Sequence, residues 1–331
     1  MKTPRHCDTR GPGCIFPMAA ASVFLAFSAV AAVVPPAGPS KAGLLETGRV
    51  MILGDSITQN GQYVSFVEYF LQKARPTAAY DIVSVGLASE TTSGLSEPGH
   101  AGGAFPRPCV HERLKRALDA VKPQVVIACY GMNDGIYLEL NPERMKAFQD
   151  GVTKLVSDCK AAGARVILVT PPVFDAKARD GWNYDRTLRE FAAWEVEHPP
   201  EGVAATVDLH TFMGAALAER QGKDPGFHFS GDQVHPGPLG HLVMAQAILK
   251  GLDVPTPPGD AEDLLAAANA DPLFKLVSQH RETRSNAWLA HIGYTRERTV
   301  APDSGNLAAA EEKAREIQQK IDALKKPPAK P

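Results

Sequence analysis

The stretch RVMILGDSITQNG, residues 49–61, begins as a buried strand and ends as a polar turn. Its apolar run, Val50–Leu53, is typical of an inner strand of a parallel sheet. The run stops abruptly at Gly54, Asp55 and Ser56. Ligands bind at the carboxyl ends of strands in open α/β sheets, so this turn is a candidate site. From these residues alone, an ordinary strand-to-helix turn with a capping side chain is the alternative.

Further apolar runs follow along the chain, and helical patterns separate them. The runs are Val50–Leu53, Ile82–Val85, Val125–Tyr130, Val166–Thr170 and Ala204–Val207. The clearest helical pattern begins at Asn141, has Pro142 in the first helical position and closes at Gly163. Strands that alternate with helices predict a parallel sheet covered on both faces. We therefore expect an α/β fold, a flavodoxin-like three-layer α/β/α sandwich with about five parallel strands.

The N-terminal segment has the pattern of an export signal. Three basic residues precede an uncharged apolar run at 18–34, and Ala29-Val30-Ala31 offers a small-x-small cleavage site. The pattern predicts a signal peptide at 1–31, and hence a secreted or periplasmic protein without stable membrane insertion after cleavage. An uncleaved membrane anchor is the alternative, because the 17 apolar residues are just long enough to span a bilayer.

Composition divides the rest of the chain into three parts. A Pro/Gly linker at 32–48 precedes the alternating region at 49–251, and a second linker and a helical C-terminal extension occupy 252–331. The extension contains a short apolar seam with heptad-like spacing, formed by Ala310, Ala314, Ile317, Ile321 and Leu324. This seam is too short for an isolated coiled coil. We expect its helix to pack on 261–292 or on the sheet region.

Composition and charge exclude several classes of protein. The 331 residues are 44% hydrophobic and 22% charged, close to globular averages. The net charge is −2 and no basic stripe is present, so we expect no nucleic-acid partner. Outside the N-terminal segment the cysteines are Cys109, Cys129 and Cys159, an odd number that does not form a disulfide framework. Cys129 and Cys159 lie in apolar patterns and are predicted to be core residues.

A long loop, Ala88–Cys109, follows the second predicted strand and is rich in Gly, Ser, Thr and Pro. Loops of this length tend to be functional or disordered. Because this loop leaves a strand's carboxyl end, we expect it to overhang the same edge as Ser56. His100, Arg107 and His111 lie in or beside it, and we interpret them as solvated loop residues rather than as substrate contacts.

Three further segments lie at strand ends or in late loops. They are Gly86 at the end of the second strand, GMND at 131–134 after the third, and DQVH at 232–235 after the fifth. Together with GDSIT, these blocks resemble, in order, those of the SGNH/GDSL hydrolase family, over roughly residues 49–251. One departure is visible, because the family's second block often has Asn two residues before its Gly and this chain has Ser84.

The resemblance implies specific roles for these residues. Ser56 would be the nucleophile, His235 the general base and acid, and Asp232 the carboxylate that orients His235. The backbone N–H groups of Ser56 and Gly86 and the side-chain amide of Asn133 would form the oxyanion hole. Asp55 and Asp134 are interpreted as structural residues that hold loops by hydrogen bonds.

These residue types suit acyl transfer on chemical grounds. A serine hydroxyl is a poor nucleophile and needs an adjacent base, and the base needs a carboxylate to set its tautomer. Preorganised donors stabilise the oxyanion. Such a mechanism needs no cofactor or metal. A metal site built from His228, Asp232, His235 and His241 is an alternative, but no ligand-spacing motif is matched.

We therefore expect a secreted serine esterase with an acyl-enzyme on Ser56. A secretory signal, a polar loop over the site and no evident apolar lid favour short acyl groups, such as acetate on a carbohydrate. The expected partner is a small-molecule or glycan ester. Lipase, lysophospholipase or acyltransferase activity at the same site is an alternative, because fold does not choose the substrate. A non-catalytic binding or scaffold protein is another.

Overall fold

The computed structural model describes residues 41–46, 48–176 and 183–325. The predicted signal segment, most of the first linker and residues 326–331 lie outside the described residues. Within those described ranges, no helix combines the length and the apolar character needed to cross a membrane.

A parallel five-stranded sheet forms the centre of the molecule. Its strands are β1 (Arg49–Gly54), β2 (Asp81–Ser84), β3 (Val125–Cys129), β4 (Arg165–Val169) and β5 (Val203–Val207). They lie in the order β2-β1-β3-β4-β5, which confirms the flavodoxin-like prediction. The strand β2 lies on one side of β1, whereas β3, β4 and β5 lie on the other, so the strand order reverses between β1 and β3. Ligands bind at such a switch point.

Helices cover both faces of this sheet. They are α1 (Ser56–Asn60), α2 (Gln62–Ala74), α3 (Leu114–Val121), α4 (Pro142–Ala161), α5 (Asp185–Glu197), α6 (Leu209–Lys223) and α7 (Pro238–Gly251). The helix α2 packs on α7, and α4 packs on α3 and on α5. The predicted start of α4 is confirmed, because Oδ1 of Asn141 accepts a hydrogen bond from the N–H of Arg144.

The C-terminal extension packs on the sheet region. It contains α8 (Ala261–Ala270), α9 (Pro272–Ile292), the hairpin β6 (Tyr294–Thr295) and β7 (Thr299–Val300), and α10 (Leu307–Lys325). The buried seam residues of α10 lie along α9, and α9 in turn packs on α2 and β2, so the expected packing is confirmed. Arg284 of α9 ties these layers together through Asp81 at 2.6 Å and Glu311 at 3.0 Å.

The extension also reaches the long loop that follows β2. The guanidinium of Arg296, in the turn between β6 and β7, lies 4.9 Å from the ring centroid of Phe105. Arg116 of α3 donates to the backbone oxygen of Ile292 at 3.1 Å. The 88–109 loop therefore has partners outside the sheet region.

Cys129 and Cys159 are buried and unpaired, as predicted for core residues.

Candidate active site

The turn after β1 places Ser56 at the first position of α1. The carboxylate of Asp55 caps this helix, because its Oδ1 accepts from the N–H of Ile57 at 2.9 Å. A Cβ added at Gly54 would lie 2.1 Å from Oγ1 of Thr58, so only glycine fits between the strand and the helix. Burial is the main reason that the pKa of Asp55 rises to about 7. Asp55 thus holds the turn, in agreement with its structural interpretation.

The hydroxyl of Ser56 meets the DQVH segment across the site. Its Oγ lies 2.8 Å from Nε2 of His235, and Nδ1 of His235 lies 2.6 Å from Oδ2 of Asp232. Burial raises the pKa of Asp232, but hydrogen bonds from His235 and Val234 outweigh it and lower the pKa to about 2. An ionised carboxylate can only accept, so Nδ1 carries the hydrogen. In neutral His235, Nε2 is then left to accept the proton of Ser56.

Gly86 lies against α1 at Thr58 and Gln59. The N–H groups of Val85 and Leu87 both donate to β1, at 2.9 Å each. Because N–H directions alternate along an extended chain, the N–H of Gly86 points away from β1. A Cβ at Gly86 would lie 2.4 Å from the backbone nitrogen of Gln59, so glycine is required here. Ser84, two residues before Gly86, is buried and donates to the backbone oxygen of Thr58 at 3.4 Å.

Asn133 and Asp134 follow β3 at the same edge of the sheet. Asn133 is buried, and its Nδ2 donates to the backbone oxygen of Glu90 at 3.2 Å. Oδ1 of Asp134 accepts from the N–H of Thr92 and of Ser93, both at 2.7 Å. Asp134 therefore anchors the beginning of the long loop. The loop overhangs the site as expected.

The interpretation of the loop's basic residues as solvated is wrong. The side chain of Arg107 is 5% exposed, and its Nη1 donates to Oδ1 of Asn133 at 2.9 Å. His100 is 11% exposed and lies 3.3 Å from Glu97. Both ring nitrogens of His111 are buried. These side chains are covered because the loop folds back on the sheet edge instead of extending into solvent.

The sequence reasoning also missed Asp175, which follows β4. Its Oδ1 lies 2.7 Å from Nδ1 of His228, and its Oδ2 accepts from the N–H groups of Phe229 and Ser230. Its own N–H donates to the backbone oxygen of Gln233 at 3.0 Å. Asp175 thus holds the segment that leads into Asp232 and the backbone between Asp232 and His235. An acid just beyond a strand's carboxyl end was the signal that could have identified it.

The possible metal ligands do not converge. In the part of the chain that the structure describes, no group of three or more His, Cys, Asp or Glu side chains is arranged to hold a metal ion. His228 pairs with Asp175, whereas His241 is buried and stacks on Tyr63 with ring centroids 6.1 Å apart. Burial, together with the charge of Arg281, lowers the pKa of His241 to about 3.

Comparison with known proteins gives a consistent result. The model of the GDSL-like lipase/acylhydrolase family matches residues 52–243, which include the site residues described above. An acetylxylan esterase from Geobacillus stearothermophilus is 23% identical over 232 residues, covering 61% of this chain and 92% of that protein.

Two solved structures resemble the fold. A variant of an acetyl-xylooligosaccharide esterase from Geobacillus is 20% identical with a TM-score of 0.51, and the match covers 66% of this chain and 99% of that one. A gut microbial diltiazem-metabolizing enzyme is 23% identical with a TM-score of 0.50, covering 62% of this chain. The match spans only 46% of that enzyme's length.

Proposed function

Since the chain belongs to the GDSL-like lipase/acylhydrolase family of ester-hydrolysing enzymes, we propose that it hydrolyses carboxylic esters through an acyl-enzyme on Ser56. The observation that carries this proposal is the relay from Ser56 through His235 to Asp232, with contacts of 2.8 and 2.6 Å. A nucleophile, a base and an orienting carboxylate in hydrogen-bond reach are the geometric signature of a serine hydrolase.

The reaction has two halves. In the first, Nε2 of His235 takes the proton of Ser56 as Oγ bonds to the ester carbonyl carbon. The carbonyl oxygen becomes an oxyanion, and the N–H groups of Ser56 and Gly86 and the amide of Asn133 stabilise it. The C–O bond to the alcohol then breaks, and His235 returns the proton to the departing alcohol oxygen. The product of this half is an acyl ester on Ser56.

The second half repeats these steps with water. His235 takes a proton from a water molecule, and the resulting hydroxide bonds to the acyl carbon. Collapse of the tetrahedral intermediate breaks the bond to Oγ, and the proton on His235 returns to Ser56. Asp232 keeps its charge throughout and stabilises the imidazolium. A carboxylic acid leaves, and no cofactor takes part.

For the substrate, we propose short acyl esters of carbohydrates, with acetate as the acyl group. One support is the curated relative from Geobacillus, whose name is acetylxylan esterase. Another is the 88–109 loop over the site, which is rich in Gly, Ser, Thr and Pro. A polar wall does not favour a long alkyl chain, because that chain gains free energy only from apolar burial. The pattern of residues 1–34 supports export of the protein.

Covalent labelling tests this proposal directly. A fluorophosphonate probe should label the purified wild type, and peptide mapping should place the label on Ser56. Ser56→Ala should fold normally, remain unlabelled and lose nearly all esterase activity. Product analysis in the presence of a sugar acceptor separates hydrolysis from acyl transfer. Labelling at another serine, or no labelling of folded wild type, would overturn the assignment and favour a binding protein.

A further inference from the structure

The neighbours of Asn133 allow its side-chain amide only one orientation. Its Oδ1 lies 2.9 Å from Nη1 of Arg107 and 3.2 Å from the hydroxyl of Tyr137. Its Nδ2 lies 3.2 Å from the backbone oxygen of Glu90. A guanidinium can only donate and a peptide carbonyl can only accept, so oxygen and nitrogen cannot be exchanged. Because Nδ2 carries two hydrogens, it keeps one for another acceptor.

Arg107 is itself held from several sides. Its Nε and Nη2 both donate to the carboxylate of Glu97 at 2.7 Å, and its backbone N–H donates to Oγ of Ser96 at 3.0 Å. Its guanidinium lies 5.2 Å from the ring centroid of Tyr137. Burial raises the pKa of Glu97, but the hydrogen bonds from Arg107 outweigh it and keep the pKa below its usual range. Arg107 therefore has little freedom to leave Asn133.

The backbone that presents Tyr137 is strained. Ile136 has φ +48° and Tyr137 has φ +56°, a left-handed conformation that costs energy for β-branched and bulky residues. The ring of Tyr137 packs against Tyr184, with centroids 4.8 Å apart, and against Phe174. Burial raises the pKa of the Tyr137 phenol, so the phenol stays a neutral donor at neutral pH. The strain is stored where the hydroxyl reaches Asn133.

We propose that Arg107 and Tyr137 are positioning residues for the oxyanion hole, which hold the Asn133 amide so that one Nδ2 hydrogen faces the reacting carbonyl oxygen. This inference rests on the proposed function. Two donors on Oδ1 also draw electron density from the amide and strengthen Nδ2–H as a donor. Without them the amide can rotate and present an acceptor to the oxyanion, which destabilises the transition state.

Kinetics of single and double variants test this proposal on any ester that the wild type hydrolyses. Arg107→Ala should lower kcat by about 10- to 100-fold with KM changed by less than about threefold, since loss of a whole oxyanion donor costs about 10²- to 10³-fold. Arg107→Lys should recover part of this loss. Tyr137→Phe removes only a hydroxyl and should lower kcat by about three- to tenfold.

The decisive comparison uses the Asn133→Ala background. If both residues act through Asn133, Arg107→Ala and Tyr137→Phe should each cost less than about twofold there. Arg49→Ala is the matched control. Arg49 donates to Asp81 at 2.7 Å and stacks on Trp288, but it lies at the opposite, amino end of the sheet. Equal losses in both backgrounds, or a change in KM rather than in kcat, would overturn the proposal.

A spectroscopic reading separates this proposal from the proposed function, because it needs no turnover. The side-chain amide resonance of Asn133, identified by its loss in Asn133→Ala, should shift in Tyr137→Phe and in Arg107→Ala but not in Arg49→Ala. An active enzyme in which that resonance does not move contradicts the positioning role. A wild type that neither takes up the probe at Ser56 nor hydrolyses esters contradicts the proposed function instead.

Discussion

The hydroxyl of Ser56 and Nε2 of His235 lie 2.8 Å apart, although 179 positions separate the two residues in the chain. Ser56 begins α1 directly after the strand β1, and His235 lies in the loop that precedes α7. The imidazole of His235 is 49% exposed, so packing alone does not fix it. Its orientation therefore depends on the hydrogen bond between its Nδ1 and Asp232.

Replacing Asp232 with Asn should lower kcat/KM by about 10²-fold or more, because an amide favours the wrong imidazole tautomer. The replacement should leave the fold intact, since both residues are about half exposed. His235→Ala should cost more, because it removes the base itself. The measurement is kcat/KM of both variants on one ester, with circular dichroism as the check on folding. Near-wild-type activity in His235→Ala would show that the constellation is misinterpreted.

Acyl-chain preference is the second prediction. Each methylene buried in an apolar pocket contributes about 0.8 kcal/mol, and the polar 88–109 loop offers long chains little of this burial. Activity on acetyl esters should therefore equal or exceed activity on octanoyl esters. Chromogenic esters of increasing acyl length measure this directly. A steep rise of kcat/KM with length would indicate a lipase-like pocket.

Gly86→Ala should damage catalysis through the backbone. The added Cβ would lie 2.4 Å from the nitrogen of Gln59 and 2.6 Å from the carbonyl carbon of Thr58, so α1 must shift. Ser56 begins that helix, and a displacement of 1 Å can cost about 10²-fold. We expect kcat to fall at least about tenfold, with a lower midpoint of thermal unfolding. Gly222→Ala, where a Cβ meets open space, is the control. Equal activity of the two variants would refute the steric argument.

Stability should depend on pH through Glu68 of α2 and His280 of α9, whose Oε1 and Nδ1 lie 3.7 Å apart. Burial raises the pKa of Glu68 from 4.5 to about 7. The contribution of Glu68 to the free energy of unfolding therefore falls as pH rises from 4.5 to about 7. Burial lowers the pKa of His280 from 6.5 to about 4. The contribution of His280 to the free energy of unfolding therefore rises as pH rises from about 4 to 6.5. The two contributions oppose each other between pH 4.5 and 6.5.

Glu68→Gln removes only the contribution to stability that falls as pH rises. The free energy of unfolding of this variant should therefore rise with pH in that window more steeply than the wild type's, by up to about 1.4 kcal/mol per pH unit. Urea unfolding at several pH values measures the difference, and the exposed Glu316→Gln serves as the control. Parallel curves for Glu68→Gln and the wild type would contradict the opposing titrations.

Local sequence determined the elements of this fold. Runs of buried apolar residues predict the five strands, because a strand covered on both faces must be apolar along its length. Asn141 and Pro142 predict the start of α4, because capping is a contact between neighbours in the chain. The blocks GDSIT, GMND and DQVH are likewise recognised from a few neighbouring residues in the chain. Each block follows a strand or precedes a helix, so its place at the sheet edge could be inferred.

Only the tertiary structure decided which polar side chains are buried and what they contact. In a loop rich in Gly and Pro, Arg107 has the sequence environment of a solvated residue, yet it lies against Asn133 at 2.9 Å. Asp175 contacts His228, although two helices and a strand separate the two residues in the chain. Burial of a polar group depends on partners that are distant in the chain, and sequence periodicity carries no information about such partners. The local pattern therefore determined the strands, the helices and the sequence blocks at the sheet edge, whereas the fold alone placed the side chains that support them.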